Sequence, residues 1–201
     1  EGNTFNDVRT HIKASGGRYL SITNQNDFNP NAGNQATNLC GITLNNERAF
    51  NIFDNNFTSL RFGIISNNSG RSGGVIRYQN SLGGNLFTDC WRSIQMQGNN
   101  LNLQIKCNKF DNPNNSLYNV TWAVVGGFLA NQGIYSNTEF TPAGNSFESH
   151  PDNDELSSTS VVSFEYYAHQ APPKVIPDII SGSNISLDIT SPAMSSFSTA
   201  C

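Results

Sequence analysis

Charge is what this chain has least of. Of 201 residues, 11 are Lys or Arg, 15 are Asp or Glu and 3 are His, so charged side chains make up 13% and the formal net charge is −4. With no basic surplus to neutralise phosphates, no nucleic-acid partner is expected. Apolar residues reach 36% but never form a run of about eighteen, so no membrane-spanning helix is predicted. Sustained apolar periodicity of the helical kind is missing too, and almost no helix is expected. His11, His150 and His169 stand far apart without ligand-like spacing, which argues against a metal centre. Cysteine is sparse but even in number at 4, which suits an exported protein. Its pairing stays open: a Cys201 to Cys40 tie is one option, and buried free thiols at Cys90 and Cys107 are another.

What the chain has in quantity is asparagine, and one asparagine-containing phrase returns. Asn, any residue, Phe occurs as Asn3-Thr4-Phe5, Asn26-Asp27-Phe28, Asn55-Asn56-Phe57, Asn85-Leu86-Phe87, Asn108-Lys109-Phe110 and Asn145-Ser146-Phe147. The asparagines are separated by 23, 29, 30, 23 and 37 residues. Short apolar runs precede them, such as Phe50 with Ile52 and Leu103 with Ile105. A small residue and isoleucine follow at Gly41-Ile42, Gly63-Ile64 and Ser93-Ile94. Runs this short read as strands, and two or three strands in a repeat of about 22 to 30 residues read as one coil of a β-solenoid. The predicted fold is all-β: a right-handed parallel β-helix of about five to six coils over residues 1–150. Residues 151–201 carry no repeat phrase and are expected to form terminal strands, a cap or a linker.

At a tight bend between strands an Asn amide supplies donors and an acceptor and tolerates left-handed backbone angles. Asn3, Asn26, Asn55, Asn85, Asn108 and Asn145 are therefore predicted to stack as a ladder, with each phenylalanine two positions on in the core. The repeat starts within the first residues, with no initiator Met and no signal peptide. The chain is accordingly expected to be a piece of a longer precursor with further domains.

Several stretches resemble the β-helix repeat region of large secreted surface proteins of Bacteroidetes-type bacteria. They are Gly63-Ile64-Ile65-Ser66-Asn67-Asn68-Ser69-Gly70, Ile94-Gln95-Met96-Gln97-Gly98-Asn99-Asn100, Leu103 to Phe110, Asn131-Gln132-Gly133 and Pro142 to Phe147. The resemblance covers about residues 1–170 and implies export to the cell surface or medium, in that family by type IX secretion. It brings no catalytic motif with it.

Catalysis on a solenoid wall needs its groups at equivalent coil positions. Polysaccharide cleavage needs paired carboxylates about 5 to 9.5 Å apart, but Asp27, Asp54, Asp89 and Asp111 fall at different offsets from their asparagines, and Glu47 and Glu139 fall in other loops. Asp152-Asn153-Asp154-Glu155 lacks the glycine and distal Glu of a calcium loop, so no cofactor is expected. Arg9, Arg61 and Arg92 follow their asparagines by six, six and seven residues. Coils lie about 4.8 Å apart, so these side chains are candidates for a positive column holding anionic sugars; the alternative is scattered solvated charge. Aromatic candidates for sugar stacking are Trp91, Trp122, Tyr118, Tyr135, Tyr166 and Tyr167. If Tyr166 and Tyr167 share an extended strand, one ring is expected to point outward. The reading that follows is a rigid surface module whose partners are extracellular glycans or other surface proteins, with a polysaccharide-active enzyme and a structural subunit as alternatives.

Overall fold

In a computed structural model the chain is all-β, and the described residues (3–6, 10–23, 25–29, 40–77, 84–111, 121–135, 140–147, 156–160, 162–169, 179 and 182–190) contain no helix. The strands come in threes. β1 (Thr4–Asn6), β2 (Thr10–Ser15) and β3 (Leu20–Ile22) are followed by β4 (Asn26–Asn29), β5 (Cys40–Asn45) and β6 (Phe50–Ile52). Then come β7 (Asn55–Thr58), β8 (Phe62–Asn67) and β9 (Gly74–Arg77), and next β10 (Leu86–Thr88), β11 (Arg92–Asn100) and β12 (Leu103–Lys106). β13 (Lys109–Asp111) and β14 (Trp122–Leu129) lead into a hairpin, β15 (Gly133–Tyr135) with β16 (Phe140–Pro142). The chain ends with β17 (Ser146–Phe147), β18 (Leu156–Ser158), β19 (Phe164–His169) and β20 (Ile185–Thr190).

Equivalent strands of successive triplets pair in parallel to form three walls, ordered β1-β4-β7-β10-β13-β17, β2-β5-β8-β11-β14-β18 and β3-β6-β9-β12. The second wall shows how sequence dictates register. Ile12, Ile42, Ile64, Ile94, Trp122 and Leu156 are Cα partners in one column, and from Ile42 onward all are fully buried. A slip of one residue would turn that whole column to solvent. Along the first wall Phe28, Phe57, Phe87, Phe110 and Phe147 form a continuous buried ring stack, with successive centroids 4.8, 4.7, 5.1 and 5.1 Å apart. That spacing is the inter-strand spacing itself, so every coil adds one ring at the distance aromatic pairs favour.

The predicted asparagine ladder is present at the corner between the third and first walls. Side-chain Nδ2 donates to the next Oδ1 from Asn3 to Asn26 (3.1 Å), Asn26 to Asn55 (2.7 Å), Asn55 to Asn85 (3.2 Å), Asn85 to Asn108 (2.9 Å) and Asn108 to Asn145 (3.1 Å). From Asn26 onward these amides are buried. From Asn26 onward each amide also donates to a nearby backbone carbonyl, such as Ile52 O from Asn85 (2.9 Å) and Ile105 O from Asn145 (2.9 Å).

One local expectation is corrected. The left-handed residue at the corner is the one before the ladder asparagine: Gln25, Asp54, Cys107 and Gly144, with φ between 57° and 68°. The amide can bond along the stack because its own backbone already belongs to a strand. Residues 97–100 continue β11, with a bulge at Gly98 against β14. β12 and β13 are divided by the Cys107-Asn108 corner.

Candidate functional site

The outer surface at the entry to the second wall gathers the groups best suited to a ligand. Ser59 and Asp89 adopt left-handed φ of 53° and 52° and turn the chain from the first wall into the second. Directly after them Leu60 and Cys90 point into the core. Arg61, Phe62, Trp91 and Arg92 come next and are all half-buried. Backbone bonds lock the two layers together: Trp91 N donates to Leu60 O at 2.9 Å, and Arg92 N to Arg61 O at 3.0 Å.

Register decides what this quartet is. Arg92 is the Cα partner of Phe62, which sets Trp91 over Arg61. The expected arginine column is therefore corrected: Arg61 and Arg92 sit diagonally with an indole between them. The Arg61 guanidinium lies 4.8 Å and that of Arg92 4.9 Å from the Trp91 ring centroid, and Phe62 meets the indole edge-on at 5.3 Å. Such cation–π contacts fix two flexible side chains against one rigid ring. Arg92 Nη1 donates to the neutral Oε1 of Gln95, one outward position further along β11. Burial, and secondarily the positive charge of Arg61, lowers the Arg92 pKa from its ordinary value. Arg9 lies outside the described residues.

Tyr166 and Tyr167 are not brought to this site, and the expectation of an outward ring is overturned. Both are buried, at 1% and 6% exposure. β19 is hydrogen-bonded on one side to β20 and on the other to Gln132 and Ala143, with the β15–β16 hairpin lying beside it. Tyr166 OH accepts from Asn145 Nδ2 at 3.1 Å and so ends the ladder, while its ring closes the aromatic interior against Trp122 and Phe147. Tyr167 OH donates to the Glu165 carboxylate. Trp122 is likewise core. Tyr118, Glu139 and residues 152–155 lie outside the described residues, as does the Tyr135 ring.

Glu47, expected in a loop, is buried at a second corner, where its N–H bonds Ser69 Oγ at 3.0 Å and Ser69 N bonds Asn100 Oδ1 at 3.3 Å. Among the described residues no three His, Cys, Asp or Glu converge as a metal site, and no helix is long and apolar enough to cross a membrane. Cys107 is disulfide-bonded, which corrects the free-thiol expectation there, and its partner lies outside the described residues. Cys40 and Cys90 are free and buried, which rules out the Cys40 to Cys201 tie. Burial pushes their thiols from an ordinary 9.0 to about 11 and about 12. Native protein should therefore resist alkylation at both positions at about pH 8 and react at both once unfolded in urea. Raised thiol values stabilise the fold fully below pH 9.0, and that contribution is lost as pH climbs toward about 11 and about 12. Rapid native labelling of either cysteine would contradict the burial.

These observations define the class as an all-β, β-helix-like solenoid of parallel strands with a buried asparagine ladder. Comparison with protein-family models, with curated proteins and with solved structures found no match for the chain.

Proposed function

We propose that the chain is a right-handed parallel β-helix of about five to six coils that serves as a non-catalytic module of an exported surface protein. It contacts carbohydrate through Arg61, Phe62, Trp91 and Arg92. The observation that carries this reading is the pair of guanidiniums held on one outward-facing indole. It combines apolar ring surface with fixed hydrogen-bond donors, the mixture a sugar face and its hydroxyls call for. The distribution of carboxylates supports a binding role over cleavage. Asp27 accepts from Asn56 at 2.7 Å and Asp111 pairs with Lys109 at 3.8 Å on the first wall, whereas Asp54 and Asp89 occupy different corners.

A glycan array probed with the purified chain, run beside a reducing-sugar release assay, tests the reading. Binding without release is expected, with Trp91→Ala weakening the best signal by about tenfold. Release of reducing ends would replace binding by catalysis, and an array without signal would remove the carbohydrate reading. A second reading, assembly through solenoid ends, is favoured by β1, β2 and β3 each lying at the edge of its wall. It requires a particle mass that rises with concentration.

A further inference from the structure

We infer from the backbone register that Arg18, Arg48 and Arg71 form a column of positive charge across three consecutive coils, and that this column binds a linear acidic polysaccharide lying along the solenoid. It is a second surface, apart from the Trp91 site, and either can fail without the other.

The column stands at the corner between the second and third walls. Ser15 is the Cα partner of Asn45 and Leu20 of Phe50, so the first two coils have turns of equal length there and Arg18 falls opposite Arg48. Arg48 N donates to Gly17 O at 3.0 Å, as that pairing requires. On the other side, Gly70 N donates to Glu47 O and Ser72 N to Arg48 O, both at 2.8 Å, which sets Arg71 beside Arg48 in the third coil. All three arginines are exposed. Like charges opposite one another on neighbouring strands are destabilising, yet a chain with only 11 Lys and Arg puts three of them at one corner. The described ion pair, Lys109 with Asp111, is on the first wall, so no carboxylate among the described residues pairs with the column. The acid next to it in sequence, Glu47, is buried and packed against Gly17, where an added Cβ would collide with its Oε2.

Tyr19 supplies an apolar face beside the charges. Its ring is 66% exposed, and its hydroxyl accepts from Asn51 Nδ2 at 2.7 Å, so a side chain of the first coil is held across the second. A fixed ring next to a row of guanidiniums suits a sugar that carries a carboxylate. Spacing selects the class of polyanion. Coils lie about 4.8 Å apart, the scale on which a polyuronate presents one carboxylate per sugar. Duplex DNA carries a charge about every 1.7 Å and owes its affinity to many neutralised phosphates. Three arginines on a chain of net charge −4 offer too few.

The test titrates polygalacturonate, its methyl-esterified form and a short duplex DNA into the full chain. At about 0.15 M salt the wild type is expected to bind polygalacturonate about tenfold more tightly than the ester, and more weakly as salt rises. Arg18→Gln, Arg48→Gln and Arg71→Gln should each lower that affinity by about threefold and flatten its salt dependence, and the triple variant should erase the preference. Tyr19→Ala should weaken both polymers alike and leave the salt dependence unchanged. Lys109→Gln removes the same charge from the first wall and should change nothing. A loss there as large as in the arginine variants would make net charge the attraction and overturn the column. Equal affinity for acid and ester overturns it as well, and DNA bound as tightly as polygalacturonate overturns the glycan assignment. Without polymer, Arg48→Gln should melt no lower than the wild type, because the column repels itself. Polymer should raise the melting temperature of the wild type and not that of the triple variant, which separates lost binding from lost folding.

Discussion

Replacing Asn85 by alanine is expected to destabilise the protein by about 3 to 6 kcal/mol, enough to unfold a domain of ordinary stability. The buried Asn85 amide serves four groups on three residues at once. Its Oδ1 accepts from both Asn55 N and Asn55 Nδ2 at 3.2 Å, and its Nδ2 donates to Ile52 O and Asn108 Oδ1 at 2.9 Å. Truncation leaves up to three of these groups (Asn55 N–H, Ile52 O and Asn108 Oδ1) without this partner at about 1 to 3 kcal/mol each, while Asn55 Nδ2 keeps Ile22 O and Phe53 O. Coils contact only their neighbours, so a broken central rung also weakens coupling between the two halves. Urea denaturation should show a lower midpoint and a shallower slope. The control is Asn3→Ala at the exposed first rung, where loss of one Asn26 contact should cost about 1 kcal/mol or less. Equal effects at both rungs would mean that ladder bonds contribute little.

That ladder was legible because one physical demand recurs in every coil and one residue type meets it. The phenylalanine stack and the small residue ahead of each isoleucine were legible for the same reason. The left-handed corner position was not. Gln25, Asp54, Cys107 and Gly144 share a backbone angle but no chemistry, since the ladder amide beside them holds the bend and relaxes the demand on side-chain type. The second polar corner was hidden likewise, as it uses Glu47, Ser69 and Asn100 in turn. Polar residues recurring at separations of 22 and 31, close to the coil length, were the available signal.

The candidate site was legible in part. Both described arginines were visible, but counting from the asparagines placed them on one column. Alignment at 30 residues, the separation of Asn55 from Asn85, pairs Arg61 with Trp91 and Phe62 with Arg92. The tyrosine pair misled because strand alternation predicts which side a ring leaves from, not what later covers that side. Here a hairpin from the preceding excursion and the final parallel pair β19–β20 enclose it.

Phe87→Ala should cost about 3 to 5 kcal/mol, since it empties the middle of the ring stack and strips Phe57 and Phe110 of a neighbour. Its coupling to Gly63 is the sharper test. The φ of Gly63 is not in the left-handed region, so backbone freedom does not explain the glycine. Close approach does: a Cβ there would meet Ser93 O at 2.5 Å and the Phe87 ring at 2.7 Å. Ring tilt does not report the glycine: Phe57 and Phe87, packed on Gly41 and Gly63, lie within 8° of parallel, but Phe28 and Phe57 lie within 5° although His11 stands in the equivalent position beside Phe28. Gly63→Ala alone should therefore cost about 1 to 3 kcal/mol by overpacking. In a Phe87→Ala background the added methyl meets one obstacle instead of two, and its cost should fall by about 1 kcal/mol in a double-mutant cycle read by equilibrium urea unfolding. Additive effects would show that the Ser93 carbonyl by itself selects glycine.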